Sequence, residues 1–309
     1  MLEILILGSA AGGGFPQWNC NCDLCQRARA GDPDVKQRTQ SSLAVSSGDG
    51  KWFLLNASPD LRKQINDNPQ LHPSGGRRES PISGAVLTNA DIDHIAGLLN
   101  LRESQPLTIY ATPRVHSVLA SNTVYQVLNP EYVERRDLAL GEVTTLSGKD
   151  GVGNGLSVEP IAVPGKVALY LEDPTKENFG SVPEDTVALR VTETATGNYF
   201  FYLPGCASMP DELSELLRGA PLVFVDGTVW EDEEMITTKT GVKTGLRMGH
   251  MHLNGDDGTI AAFADLDIDR KIFVHINNTN PVLDDASPER KQTEAAGWEV
   301  GFDGMGVTL

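Results

Sequence analysis

The sequence has little positive charge and little cysteine. It contains 25 Lys and Arg residues against 42 Asp and Glu residues in 309, which gives a formal net charge of −17 at pH 7. Nucleic acids and anionic membranes are bound through clustered positive charge, so we expect neither as a partner. Four cysteines are too few for a disulfide-held scaffold, and a chain this long needs no such cross-links.

Long apolar runs are also missing. The first residues, MLEILILGSAAGGG, carry no basic segment, and their apolar run covers only residues 4–7. This is not the pattern of a secretory signal, and nothing approaches the roughly 18 consecutive apolar residues of a membrane span. We therefore expect a soluble, cytoplasmic protein.

Short apolar runs bounded by Gly, Pro, Asn or Asp dominate the chain and predict strands. The predicted strands are residues 2–7, 42–46, 52–55, 85–87, 107–110, 156–163, 167–171, 186–191, 199–203, 222–225 and 272–276. Helical periodicity covers residues 60–66, 114–127, 210–217, 259–264 and 288–296. No repeat or interdomain linker is visible, so we predict one domain over residues 1–309.

Three of the four cysteines, Cys20, Cys22 and Cys25, form a C-x-C-x-x-C motif. Thiolates at this spacing can hold one tetrahedral metal from a single turn, and zinc is the usual occupant. The alternative is three metal-free thiols, but exposed thiols so close together are prone to oxidation. We predict a structural zinc whose fourth ligand is a distant His or Asn, or a water.

A second candidate metal site follows a predicted strand in the segment LTNADIDHIAGL. Asp91, Asp93 and His94 fall within four residues there, and clustered carboxylates and imidazoles suit zinc, manganese or iron. The alternative is a polar turn whose aspartate caps the next helix.

Other histidines favour the metal-site interpretation. His275 ends a predicted strand in FVHINNTNP, and functional side chains gather at strand ends in sheets with covered faces. His250 and His252 lie in the segment MGHMHLNG. Asp226 ends another predicted strand, where it could orient a metal ligand or serve only as a turn residue.

The segment LTNADIDH resembles the signature of the metallo-β-lactamase superfamily, in which H-x-H-x-D-H follows a strand. The resemblance implies an α/β (α+β) fold, a four-layer αββα sandwich. It also implies that Asn89 and Asp91 replace the first two histidines of the signature, whereas Asp93 and His94 are kept.

Later positions depart from the superfamily pattern as well. Lys166 in VPGK stands where the superfamily has a metal-binding histidine, and Cys206 in LPGC stands where it has a bridging aspartate. Such departures argue against a hydrolytic dinuclear zinc centre. We predict instead one metal, with His250 or His252 nearby. Its predicted ligands are Asp91, Asp93, His94 and His275.

Five segments together resemble a family of pyrroloquinoline quinone (PQQ) biosynthesis proteins within this superfamily. They are GSAAGGGFPQWNCNCDLC, LTNADIDHIAGLL, MGHMHLNG, HINNTNP and GFDGM, and they run from the first strand to the carboxyl terminus. The resemblance implies a structural zinc at the cysteines and a role in making PQQ from a Glu–Tyr cross-linked precursor. It implies either an iron-dependent hydroxylase of the tyrosine ring or a carrier of PQQ or its precursor.

The hydroxylase interpretation fits the predicted ligands. Non-haem Fe(II) is typically held by two histidines and one carboxylate. His94 and His275 supply the imidazoles, and either Asp91 or Asp93 supplies the carboxylate. The remaining carboxylate is a further ligand or a base for a phenolic proton.

One of His250 and His252 takes the place where nucleases and phosphodiesterases of the superfamily keep a proton-transferring histidine. The catalytic candidates are therefore these two residues and Asp91. The alternatives to a hydroxylase are a carrier without turnover and, third, a metal-dependent hydrolase. Other PQQ-biosynthesis proteins and a second copy of the chain are further candidate partners.

An acidic precursor would meet a strongly negative chain, so local positive groups must offset the global field. Lys166, Lys243 and Arg247 are the candidates, although each could equally be a solvated surface charge. With Asn89 and Cys206, which occupy former ligand positions, Lys166 and Arg247 make up the predicted substrate-binding set.

Overall fold

A computed structural model describes residues 1–309, which form fourteen strands. In chain order they are β1 (Glu3–Gly8), β2 (Ser42–Ser46), β3 (Trp52–Leu55), β4 (Ile82–Val86), β5 (Leu107–Ala111), β6 (Val133–Asp137), β7 (Thr144–Ser147), β8 (Gly153–Ala162), β9 (Val187–Glu193), β10 (Tyr199–Leu203), β11 (Val223–Asp226), β12 (Lys271–Val274), β13 (Trp298–Val300) and β14 (Gly306–Thr308).

The strands build two seven-stranded sheets of the same design. The first has the order β14-β1-β2-β3-β4-β5-β6 and the second the order β13-β12-β11-β10-β9-β8-β7. Strands β3 to β6 are parallel in the first sheet, and strands β10 to β13 are parallel in the second. The other neighbours in each sheet are antiparallel.

Nine helices accompany the sheets, and none is long and apolar enough to pass through a membrane. They are α1 (Asp23–Ala30), α2 (Leu61–Asp67), α3 (Ile92–Ile95), α4 (Pro113–Ser121), α5 (Asp211–Leu217), α6 (Glu234–Thr237), α7 (Gly245–Met248), α8 (Thr259–Ala262) and α9 (Pro288–Ala295).

Strand β1 shows why the chain forms four layers. Ile4 and Ile6 belong to a central apolar cluster that contains residues of both sheets, whereas Leu5 and Leu7 belong to a cluster beneath the helices. Successive strand residues face opposite sides, so a strand covered on both faces needs an unbroken apolar run. A third cluster joins the second sheet to its own helices. The predicted αββα sandwich of the metallo-β-lactamase fold is therefore confirmed.

The sequence predicted most of the central strands, and β2, β3 and β10 have the predicted bounds. The predicted strand 167–171 is wrong. Its backbone forms a 3₁₀ turn at Leu169–Leu171, in which the Leu171 N–H donates to the Ala168 carbonyl, and it pairs with no strand. Strands β6, β7, β13 and β14 were not predicted, because they are short or polar and lie at or near sheet edges.

Helix α1 was not predicted either. Only Cys25 and Ala28 of its eight residues are buried, so its sequence DLCQRARA shows little apolar periodicity. The prediction of a single domain over residues 1–309 stays a prediction.

Tight backbone packing supports the helix that carries His94. The Ala57 N–H donates to the His94 carbonyl at 2.7 Å, and the Gly97 N–H donates to the Ala57 carbonyl at 2.8 Å. A Cβ at Gly97 would lie 2.1 Å from the Ser58 carbonyl oxygen, which is backbone and cannot turn aside. Only glycine fits this contact.

We expect Gly97→Ala to lower the free energy of unfolding by about 1–3 kcal/mol, the usual cost of overpacking a close-packed contact. Urea unfolding followed by tryptophan fluorescence measures the loss. Gly306→Ala is the matched control, since a Cβ at Gly306 meets nothing within 4 Å. Equal stability of the two variants would show that the contact is not rigid.

Candidate metal centre

Polar residues at the carboxyl ends of strands from both sheets lie close together. Strand β4 leads into the segment that contains Asp93 and His94, β11 ends at Asp226, and His275 directly follows β12. Parallel strands present their carboxyl ends at one edge of a sheet, where ligands typically bind. Two overlapping groups have ligand atoms within 4.8 Å of one another: Asp93, His94 and His275, and Asp226, His250 and His275.

His94 is buried and held in one tautomer. Its Nδ1 lies 2.7 Å from Asn89 Oδ1, which also accepts the backbone N–H of Asp91 at 3.0 Å. That atom is therefore an acceptor, and His94 Nδ1 carries the proton that it receives. The other nitrogen, Nε2, is buried and has no hydrogen-bond partner. Burial also lowers the pKa of His94, so its imidazole is neutral and able to bind a metal.

His275 stands between carboxylates from the two sheets. Its Nε2 lies 3.1 Å from Asp93 Oδ2, and its Nδ1 lies 3.6 Å from Asp226 Oδ1. Burial by itself lowers the pKa of His275, but hydrogen bonds to Asp226 and Asp93 outweigh it and raise the pKa to about 10. The buried Asp226 carboxylate and the partly buried Asp93 carboxylate thus favour a cation at this place, either a proton on His275 or a metal.

Thr228 sets the orientation of the His275 ring. Its hydroxyl donates to Asp226 Oδ1 at 2.5 Å and accepts the His275 Nδ1–H at 2.9 Å. This leaves His275 Nε2 beside Asp93, on the side of His94. The backbone of His275 has φ 55°, a left-handed conformation that non-glycine residues adopt rarely and mostly at functional sites.

His250, and not His252, belongs to the same cluster. His250 Nδ1 lies 2.5 Å from Asp226 Oδ2, and its ring stacks on His275 with centroids 5.0 Å apart. Burial raises the pKa of Asp226, but the imidazoles of His250 and His275 hold it well below the usual range. His252 Nε2 instead faces the exposed Asp257 at 3.2 Å. The sequence could not decide between His250 and His252, because they are two residues apart and only the folded structure shows which side chain faces the cluster.

A cavity of about 310 Å³ adjoins this cluster. Asn89, Asp91, Lys166 and Lys243 line it together with the clustered residues. The Asp91 carboxylate lies outside the compact ligand group, and its Oδ1 accepts the Leu169 N–H at 3.4 Å. Asp91 is therefore placed to meet a ligand in the cavity rather than a metal at the cluster.

Glu172, which the sequence analysis did not single out, pairs with two predicted substrate-binding residues. Its carboxylate lies 3.0 Å from Lys166 Nζ and 2.7 Å from Arg247 Nη2. The hydrogen bond from Arg247, followed by that from Lys166, lowers the pKa of Glu172 to about 2. Residues 167–171, just before Glu172, were predicted as a strand, so the sequence gave no sign of an ion pair at Glu172.

Cys206 does not line the cavity. Its thiol is buried and donates to the Ser208 carbonyl at 3.0 Å, and burial raises its pKa to about 12. Of the predicted substrate-binding residues and Lys243, the cavity lining thus contains Asn89, Lys166 and Lys243 but neither Cys206 nor Arg247.

The three clustered cysteines surround the side-chain amide of Asn278. Its Nδ2 lies 3.2 Å from the Sγ of Cys20, 3.8 Å from that of Cys22 and 3.5 Å from that of Cys25. An asparagine is one of the three fourth ligands that the sequence left open, and it comes from the run that follows His275. An amide turned by half a rotation presents its oxygen to the same point, so the four residues can complete a tetrahedral zinc site.

Comparison with known proteins identifies the same superfamily and the same family that the sequence motifs resemble. Residues 51–276 match the model of the beta-lactamase superfamily domain. Relatives named coenzyme PQQ synthesis protein B include those of Gluconacetobacter diazotrophicus, 50% identical over 308 residues, and Bradyrhizobium diazoefficiens, 49% identical over 311 residues. Both alignments cover 100% of each chain.

Solved structures share the fold. The crystal structure of Zn²⁺-bound PqqB from Methylobacterium extorquens is 50% identical, with a TM-score of 0.94 over 99% of this chain and 100% of that one. A diphosphatase from the PhnP family is 21% identical, with a TM-score of 0.68 over 99% and 96% of the two chains, a likeness in fold alone.

We predict that Cys22→Ser lowers zinc content by about one equivalent and lowers the melting temperature, because the loop loses a metal ligand. Asn278→Ala should retain zinc but release it to a competing chelator at a concentration at least about tenfold lower. Elemental analysis and chelator titration measure both effects. Cys206→Ser is the control, and unchanged zinc content and melting temperature in Cys22→Ser would contradict the site.

Proposed function

The chain belongs to the beta-lactamase superfamily and, within it, to the coenzyme PQQ synthesis protein B family, and from this premise we propose that it acts in PQQ biosynthesis as a metal-dependent hydroxylase. The proposed reaction inserts one atom of dioxygen into a C–H bond of the tyrosine ring of a Glu–Tyr-derived precursor, while two electrons from an external reductant and two protons convert the other oxygen atom to water. The observation that carries it is the buried, partnerless Nε2 of His94 beside Asp93 and His275.

These three residues fit a redox-active metal. Two imidazoles and one carboxylate are the donor set of non-haem Fe(II) oxygenases. Bound there, iron would supply the activation of dioxygen. Asn89 and Thr228 support the assignment, because each bonds the Nδ1–H of one histidine and so fixes the lone pair of its Nε2 toward the metal position.

His250 is the proposed base for the phenolic proton. Its Nδ1 is bound to Asp226, which leaves Nε2 without a protein partner on a residue that lines the cavity. Accepting a proton at Nε2 makes an imidazolium, and the Asp226 carboxylate stabilises that charge at 2.5 Å. Asp91, on the cavity wall, is placed to contact the precursor or its phenol.

The cavity suits a small acidic precursor. Its volume of about 310 Å³ falls at the lower end of ligand pockets. Lys166 and Lys243 supply positive charge on its wall for carboxylates of the precursor. A carrier without turnover would share these features but would have no use for the His250–Asp226 pair.

A dinuclear hydrolase is less well supported. Asn89 is engaged in orienting His94, Lys166 is an ammonium paired with Glu172, and Cys206 lies outside the cavity. The residues at those three positions of the superfamily pattern therefore do not serve a second metal.

The test is a single-turnover reaction. We expect the chain, loaded anaerobically with Fe(II) and given a Glu–Tyr dipeptide, oxygen and ascorbate as the two-electron reductant, to yield product heavier by one oxygen atom in mass spectrometry. His94→Ala should abolish that gain and the bound iron, whereas His252→Ala should retain both, because His252 faces Asp257. A gain that survives in His94→Ala would overturn the metal assignment, and tight PQQ binding without any oxygen addition would favour the carrier.

His250→Ala separates proton transfer from metal binding. We expect it to keep iron but to slow hydroxylation by about 10²–10⁴-fold, the usual contribution of a positioned base. Rapid-quench kinetics at equal iron occupancy, with His252→Ala as the matched histidine control, measure the difference. Equal rates for the two variants would remove His250 from the mechanism.

A further inference from the structure

Glu172 closes an ion-pair cluster at the edge of the metal cavity. Its Oε1 lies 3.0 Å from Lys166 Nζ and 3.2 Å from Arg247 Nη1, and its Oε2 lies 2.7 Å from Arg247 Nη2. The guanidinium thus binds the carboxylate through two parallel hydrogen bonds, and the ammonium adds a third. Proteins use this same arrangement to recognise the carboxylate of a ligand.

The two cations are held in place without Glu172. The Arg247 guanidinium carbon lies 3.8 Å from the centroid of the Phe179 ring, a cation–π contact that fixes its plane. The Lys166 stem packs on Gly249, where an added Cβ would lie 3.0 Å from Lys166 Cγ. Each positive group therefore has a contact that does not involve the Glu172 side chain, although Phe179 belongs to the same loop, since its carbonyl accepts the Asp173 N–H at 3.0 Å.

The backbone that carries Glu172 is partly exposed. It follows the Leu169–Leu171 turn, in which Leu169 is 58% exposed and Tyr170 is 42% exposed. The turn is tied to the cavity wall by the Tyr170 hydroxyl, which donates to the Ala90 carbonyl at 2.8 Å. Leu171 packs on the apolar cluster beneath the helices of the first sheet, so the Glu172 side chain, rather than its backbone, is the part that can turn away.

Glu172 supplies the negative charge that the poorly exposed Lys166 and Arg247 need in the free protein. The side chains of Lys166 and Glu172 are only 13% and 10% exposed, and Arg247 is 33% exposed. Burying Lys166 and Arg247 without a counter-ion would be costly. Lys243 adds a further positive charge on the cavity wall.

We propose that Glu172 is an internal substitute for a carboxylate of the ligand. It neutralises Lys166 and Arg247 in the free protein and is displaced when an acidic ligand brings its own carboxylate to the same two cations. The inference rests on the proposed function in one respect, that the ligand of the cavity is a carboxylate. Glu172 then acts as a selectivity residue, because only a ligand that replaces its charge can release it.

The test compares Glu172→Gln with wild type by isothermal titration calorimetry on the zinc-loaded protein, with the Glu–Tyr dipeptide as the probe. Removing the competing charge while keeping the side-chain shape should lower the Kd roughly three- to tenfold. Glu177→Gln is the matched control, since Glu177 lies in the same exposed segment and forms no ion pair; its Kd should equal that of wild type. Lys166→Met should raise the Kd.

A second probe separates charge from shape. Gln–Tyr amide, which has neither carboxylate, should gain nothing from Glu172→Gln. Equal or weaker Glu–Tyr binding by Glu172→Gln would overturn the role of Glu172 and leave the proposed hydroxylase standing. Absence of Glu–Tyr binding in every variant would overturn both, because the cavity would then not accept an acidic ligand.

Discussion

The contact of His275 with the buried Asp226 carboxylate and the partly buried Asp93 carboxylate is the constraint on which the site depends. Asp93 comes from the first sheet and Asp226 from the second, so the imidazole lies where the carboxyl ends of parallel strands from both sheets meet. Two carboxylates taken out of water must be balanced by a cation. The sandwich therefore creates a place that binds a proton or a metal, and His94 adds a neutral lone pair to that place.

The cysteine cluster and the candidate metal centre share one short segment of chain. Asn278, which meets the three thiols, lies three residues after His275, and between them the Ile276 carbonyl accepts the Ala11 N–H of the glycine-rich loop at 2.8 Å. A zinc that fixed Asn278 would also restrain the backbone of His275, whose φ of 55° needs support from its surroundings. The structural role proposed for the cysteines is thus a role in positioning His275.

The sequence predicted what depends on local pattern. Strand β10, the carboxylate and histidine after β4, and the clustering of Cys20, Cys22 and Cys25 all follow from short motifs. It could not predict that Asn89 holds His94, because that contact exists only after the turn has folded. The prediction of a strand over residues 167–171 was wrong because it also depended on a long-range contact. An apolar run forms a strand only where another strand can pair with it. Glu172 and Asn278 were missed as partners because their contacts join segments far apart in the chain.

The net charge of −17 poses the question of how such a chain attracts an acidic ligand. At physiological ionic strength, exposed charges farther away than about 8 Å are largely screened, so the field inside a cavity is set by its own walls. Lys166 and Lys243 line this cavity, and Arg247 lies next to Lys166 because both pair with Glu172. On the proposed mechanism, a ligand carboxylate therefore replaces Glu172 as the partner of Lys166 and Arg247, and the repulsion from the distant acidic surface is largely screened. On this proposal the acidic exterior disfavours nucleic acids, while the positive groups of the cavity wall favour small molecules with negative groups.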